Sequence, residues 1–342
     1  MIAKVHIQLP YIVNIPEGEI FPLFHFQKDG YTICFYPLLR SEDADKYSSA
    51  EKVTMDEVIA YNADTLDIRF HKDSFERAAT SEFDPPRKLI TEVANDFLLR
   101  LRYVTGGYQI KPLNLSQSNF HITYLNDDET ELEKKEGFIR GRGSKKIHIS
   151  FIGVNNSVWK DVHKLSPFQS LPIWKTLLLD ANAVLPEVGP AIVLTFTALE
   201  VFISKTLDEV ATFNKTDKKL WKWINERGFY LKNPSLEEQF DFLSEHFVGK
   251  SIKEDVKLWQ SFKNLQTARN SFAHSGVALV GGKEVDDVQA LEFIRKAHEI
   301  TEFIKIYLPN ELKWVSFTNK IKFEAIMPIF KPLDKKDEQK DS

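Results

Sequence analysis

The chain has 342 residues, 43% of them hydrophobic and 27% charged, and it carries 26 Phe and 6 Trp. That length favours two domains over one, and that composition excludes extensive disorder. The formal net charge of −4 excludes a chain-wide affinity for nucleic acid, so any RNA site has to be a local patch.

The first residues, 1–10, place Lys4 and His6 among alternating apolar side chains and lack the continuous apolar core of a signal peptide. Strands are predicted over 4–9, 21–26 and 31–38, which are rich in aromatic and β-branched residues. Turns at Pro16-Glu17-Gly18 and Lys28-Asp29-Gly30 separate them. The single cysteine, Cys34, excludes an intramolecular disulfide and a multi-cysteine zinc site and is read as a small buried hydrophobe. A helix is predicted over 86–103, with Asp84-Pro85-Pro86 as its start signal and Gly106-Gly107 as its stop. Strand-like segments return at 120–125 and 147–154, on either side of a charged, exposed loop over 126–136. Residues 1–155 are therefore expected to form an α+β, mostly β, domain with a sensing or regulatory role.

Residues 155–169, with Asn155-Asn156-Ser157 and Ser166-Pro167, mark the boundary, because beyond them the periodicity becomes helical. Helices are predicted over 171–185, 189–212, 218–227, 235–247, 253–274 and 285–308, so residues 165–310 should form an all-α bundle. The longest apolar stretch, 191–203, is too short to span a bilayer and is interrupted by Glu200. A cytoplasmic location is expected. Residues 311–342 read as a C-terminal extension in which 314–330 form strands packed back on the body and 331–342 fray.

The string that carries chemistry is Arg269-Asn270-Ser271-Phe272-Ala273-His274, at the end of a long amphipathic helix that stops at Gly276. An Arg and a His five residues apart carry little weight alone, and Arg142 and His148 satisfy a looser version of the same spacing. That second pair lies among Gly141, Gly143 and a strand-like segment, where no helix is expected. The string Ala-Arg-Asn-Ser-Phe-Ala-His-Ser-Gly resembles the active-site motif of HEPN ribonucleases, in which a polar residue often follows the Arg and an Ala commonly precedes the His. Thr197-Ala198-Leu199-Glu200 resembles the corresponding upstream helix of Apea-like HEPN domains. The resemblance covers about 171–308 and no part of 1–155. It makes the expected fold an α+β N-terminal domain followed by an all-α HEPN-like helical bundle.

Helical projection places Leu258, Phe262, Leu265 and Phe272 on one apolar stripe, with Arg269 inside its arc. A charge there needs a partner, and Glu200 faces the same need on its own helix. The two form either a structural ion pair, whose loss would cost roughly 3–5 kcal/mol, or a pair in which Glu200 orients an Arg that also meets phosphate. Asn270 and His274 share another face, where neither is needed for packing.

Cleavage of RNA through its own 2′-hydroxyl needs proton transfer and stabilisation of a charged phosphorane rather than a metal-bound water. In that scheme His274 transfers the proton, Arg269 neutralises the scissile phosphate and Asn270 positions phosphate or imidazole, with no metal or other cofactor. The resemblance implies cyclic-phosphate and 5′-hydroxyl products and a homodimer through the HEPN helices. It also implies a toxin or antiviral defence role, triggered by a ligand or protein at the N-terminal domain. The alternative is a non-catalytic HEPN module that binds RNA, a nucleotide or a protein partner. A third reading is a helical dimerisation unit serving an N-terminal binding domain. Residues 215–232, where five Lys and one Arg alternate with Trp221, Trp223, Phe229 and Tyr230, suit single-stranded RNA. They equally suit a solvated helix with core aromatics. No phosphate-binding glycine loop, zinc-protease motif or nucleophile elbow is present in the sequence.

Overall fold

The computed structural model describes residues 1–40, 52–73, 84–114, 120–133, 152–225, 233–317 and 321–326. The chain divides into two compact units, Met1–Gln169 with Phe317–Ser342, and Ser170–Ser316.

The first unit is built on an eight-stranded sheet. Its strands are β1 (Ile2–Pro16), β2 (Phe24–Lys28), β3 (Tyr31–Phe35), β4 (Lys52–Met55), β5 (Val58–His71), β6 (Phe120–Leu125), β7 (Glu131–Glu133) and β10 (Phe323–Ile326). They pair antiparallel in the order β10-β4-β5-β1-β6-β7, with the β2–β3 hairpin joined to β5. β5 was not expected from the sequence, because Asp64, Asp67 and Arg69 interrupt its apolar pattern. The expected charged loop contains β7, and 147–151 of the expected strand over 147–154 lie outside the described residues.

One face of this sheet carries the core. Val5 and Ile7 of β1, Ile68 and Phe70 of β5, and Ile33 and Phe35 of β3 are fully buried. They are covered by helix α1 (Arg87–Thr105) and helix α2 (Asn156–Lys164), with Phe97 stacked on Phe35 at 4.5 Å and Trp159 beside Phe97 at 5.6 Å. α1 stops where expected, since Gly106 takes the left-handed conformation (φ 68°) that caps a helix at little cost in glycine. α2 replaces part of the expected boundary loop. Asn155 caps it by accepting from the Val158 N–H, and Val158, Trp159 and Val162 are buried.

The second unit comprises α3 (Ile173–Val184), α4 (Val188–Phe213), α5 (Lys218–Asn225), a broken helix from α6 (Leu236–Glu238) through a π-helical turn (Gln239–Leu243) to α7 (Ser244–Val248), then α8 (Val256–Ser275) and α9 (Asp287–Tyr307). α4 packs against α3, α8 and α9. By length and composition α4 is long and apolar enough to cross a membrane, which the shorter run seen in the sequence concealed. Here its buried Ile192, Phe196, Leu199, Phe202 and Ile203 form the centre of the helical core, with Phe240, Phe262, Leu265 and Ile294. The unit is helical but not wholly so. After α8 a two-stranded hairpin, β8 (Leu279–Val280) and β9 (Lys283–Glu284), turns through Gly281 and Gly282. Both glycines have positive φ, 58° and 78°, as a tight hairpin turn requires. Trp314 packs against Trp174 and Phe202 in this unit, whereas β10 pairs with β4 in the first.

Candidate active site

α8 positions every motif residue, and its ends are well defined. Asp255 starts it, its carboxylate accepting from the Lys257 and Leu258 N–H groups at 3.0 Å each. Gly276 ends it with φ 74°, donating its N–H to the Phe272 carbonyl at 2.8 Å. Beyond the cap, Ser271 Oγ donates to the Val277 carbonyl at 2.8 Å and Ser275 Oγ to the Ser271 carbonyl at 2.8 Å. Leu258, Phe262, Leu265 and Ala268 bury one side of the helix.

Phe272 fastens the last turn to α4. A Cβ at Gly189 would lie 2.0 Å from Phe272 Cε2 and 2.3 Å from its Cζ, so only glycine lets the ring sit where it does. Neither Gly189 nor Phe272 stands out as a site residue in the sequence. Gly189 reads there as a helix-start residue beside Pro190, and Phe272 as one more member of the apolar stripe. Together they position the turn that holds Asn270 and His274.

Arg269 is half-buried, and its Cζ lies 5.4 Å from the centre of the Phe196 ring on α4. Its Nη1 donates to Asn270 Oδ1 at 3.2 Å. No hydrogen bond or ion pair joins Arg269 to Glu200, so the close buried pair is not formed. Their attraction acts across a longer distance, where it partly opposes the burial that pushes the Glu200 carboxyl above its ordinary range. Arg269 is thus steadied by Phe196 and Asn270 rather than by the acid.

Asn270 and His274 are exposed, and among the described residues no hydrogen bond or ring contact engages the His274 imidazole. On the helix axis Arg269 and His274 are about 140° apart, whereas Asn270 is only about 40° from His274. By reaching sideways to Asn270 the guanidinium moves towards the imidazole side of the helix. With Asn270 Oδ1 accepting from Arg269, the amide NH2 is left to donate outward. The turn therefore offers guanidinium and amide donors beside an exposed proton-transfer group, a set suited to a phosphodiester.

The large cleft of this unit lies elsewhere. A cavity of about 850 Å³ between α4, α5 and residues 233–239 is lined in part by Asp208, Thr212, Lys215, Lys222 and Trp221, and no motif residue lines it. Within the basic segment, Trp221 packs against Phe247 at 5.0 Å and donates to Asp208 at 2.8 Å, while Trp223 is exposed. Residues 226–232 lie outside the described residues, as do Arg142 and His148.

A helical unit that ends its central helix on Arg-Asn-Ser-Phe-Ala-His defines the class to which it is to be compared. Residues 193–308, from within α4 through α8 to the end of α9, match the family model of Apea-like HEPN domains, and this C-terminal part of the chain is an Apea-like HEPN region. No curated protein and no solved structure matches the chain. HEPN domains are often ribonucleases, and they commonly dimerise and bind RNA.

Proposed function

We propose that the protein is a metal-independent endoribonuclease of HEPN type, acting as a defence or toxin effector. The observation that carries this reading is the last turn of α8, inside the matched region. Arg269 and Asn270 are hydrogen-bonded to each other there, and His274 stands exposed beside them. His274 transfers the proton of the 2′-hydroxyl as that oxygen attacks phosphorus. The departing 5′-oxygen then takes up a proton, leaving a cyclic phosphate and a 5′-hydroxyl. Arg269 and the Asn270 amide donate to the non-bridging phosphate oxygens, which carry extra charge in the phosphorane. Glu200 acts at a distance by biasing Arg269.

One copy of this turn surrounds a phosphate on one side only, so the active species is a homodimer whose two α8 helices face a shared RNA strand. Incubating the purified protein with total RNA in EDTA, beside His274→Ala, tests the reading. Cleavage that needs His274 supports the enzyme. Intact RNA that is nonetheless bound supports the non-catalytic module.

A further inference from the structure

The sheet face of the first unit opposite α1 and α2 is unusual for a solvated face. Along β1, Val5 and Ile7 point into the core, so Lys4 and His6 point the other way. The register sets Lys4 opposite Arg69 on β5, and His6 opposite Asp67 on β5 and His121 on β6. One step along, His71 of β5 falls on the same face. Four of the chain's nine histidines, at 6, 25, 71 and 121, occur on β1, β2, β5 and β6.

This patch is charged yet withdrawn from water. The side chains of Asp67 and Arg69 are only 3% and 10% exposed. Asp67 sits between two cations, with Oδ1 2.5 Å from His6 Nδ1 and Oδ2 3.4 Å from Lys4 Nζ. The His6 ring stacks on His121 with centroids 4.4 Å apart. Arg69 lies flat on Tyr36 at 3.8 Å and gives Nη1 to Glu129. Its buried Nε, and the buried Nε2 of His71, have no hydrogen-bond partner among the described residues. Buried donors are normally satisfied, and a pair of them on one face marks a place for an acceptor from outside the chain.

We propose that this face, centred on Lys4, His6, Asp67 and Arg69, is a binding site for a phosphate-bearing ligand. Lys4, Arg69 and three imidazoles outnumber the two acids, Asp67 and Glu129, so the vacant partner is an anion. The donors come from three adjacent strands and converge over a small area, which fits the several oxygens of one phosphate better than a single carboxylate. Asp67 is the positioning group. By holding Lys4 Nζ and His6 Nδ1 it fixes their remaining N–H groups and supports the imidazolium, whose Nε2–H donates to the ligand. This site is independent of the α8 turn and does not rest on ribonuclease activity.

Phosphate can arrive on a small molecule or at an RNA terminus, and titration of the full chain distinguishes these sources. The probes are inorganic pyrophosphate, ADP and a 5′-phosphorylated RNA octamer, each followed by calorimetry. At least one should bind saturably at one site per chain, and the tightest identifies the source. Lys4→Gln and His121→Gln should each weaken that binding about tenfold or more, whereas Lys88→Gln, exposed on α1, should leave it unchanged. Melting curves establish that each variant folds, and His121, at the exposed edge, serves if Lys4→Gln does not. Absence of saturable binding by all three probes to millimolar concentration would overturn the proposal. So would binding that Lys4→Gln and His121→Gln leave intact.

Discussion

Gly189→Ala is the sharpest probe of how α8 is held. The added methyl would lie 2.0–2.6 Å from three ring carbons of Phe272, a distance that no relaxed structure tolerates, so the ring has to leave or the two helices have to part. Overpacking of this kind costs about 1–3 kcal/mol. Replacing a helical glycine returns less than about 1 kcal/mol, and less still in the first turn of α4. A net loss of about 1–2 kcal/mol corresponds to a fall in Tm of about 4–8 °C for a unit of this size. Tryptophan fluorescence follows the right transition, because Trp174, Trp221, Trp223, Trp259 and Trp314 lie within Ser170–Ser316 and only Trp159 does not. Since Phe272 lies between Asn270 and His274, RNA cleavage should fall further than the folded fraction does. Phe272→Leu in the same chain should recover part of both losses, so that the double variant is more stable than the sum of the singles. Unchanged melting and unchanged cleavage in Gly189→Ala would refute the reasoning.

Three further outcomes follow from the geometry. Arg269→Ala should cost only about 0.5–1 kcal/mol at neutral pH, the scale of an exposed cation–π contact, because the Glu200 pair is not close; a loss near 4 kcal/mol on thermal melting would restore the buried pair. Burial raises the Glu200 carboxyl, so its protonated form favours the fold at low pH and that contribution fades as pH rises. Glu200→Gln should therefore stabilise the protein at pH 7 and have little effect near pH 4, and equal effects at both would contradict the shift. On α2, burial and then Arg100 push His163 down to about 3 from an ordinary 6.5, so stability present above pH 6.5 is lost as pH falls towards 3. His163→Phe, in a site lined by Phe24, Phe97 and Trp159, should flatten the circular-dichroism melting profile of the first unit between pH 6.5 and 4. In assembly, mixing wild-type chains with excess His274→Ala chains after subunit exchange should depress specific activity as mutant fraction rises, with mass followed by light scattering; a fully active monomer would contradict the shared cleft.

The helical unit was legible in the sequence because its elements announce themselves locally. Asp255 and Gly276 bracket α8, Gly106 closes α1, and the 3.6-residue spacing of Leu258, Phe262 and Leu265 survives in the packed core. β5 was not legible, since its charged residues face away from the core and break the strand alternation on which a sequence reading depends. The same residues make the polar face that no local pattern betrays, as it exists only once β1, β5 and β6 are aligned. α2 was concealed by its brevity and by the turn-forming Asn155 and Asn156, of which Asn155 is in fact the cap. At the motif, composition pointed to Arg269, Asn270 and His274 as a group. The Arg269–Asn270 hydrogen bond, the separation from Glu200 and the seat of Phe272 on Gly189 depend on distances that a helical projection does not contain.

The central claim is that His274 and Arg269 cleave RNA without a metal ion. The direct measurement is the rate of cleavage of labelled RNA by the dimer in excess EDTA, with product ends identified by chemical mapping. Wild type should give cyclic phosphate and 5′-hydroxyl ends. His274→Ala and Arg269→Ala should each abolish the reaction while remaining folded, and Arg142→Ala and His148→Ala should retain it. Folded wild-type dimer that leaves RNA intact, or cleavage lost equally in the Arg142 and His148 variants, would contradict the assignment.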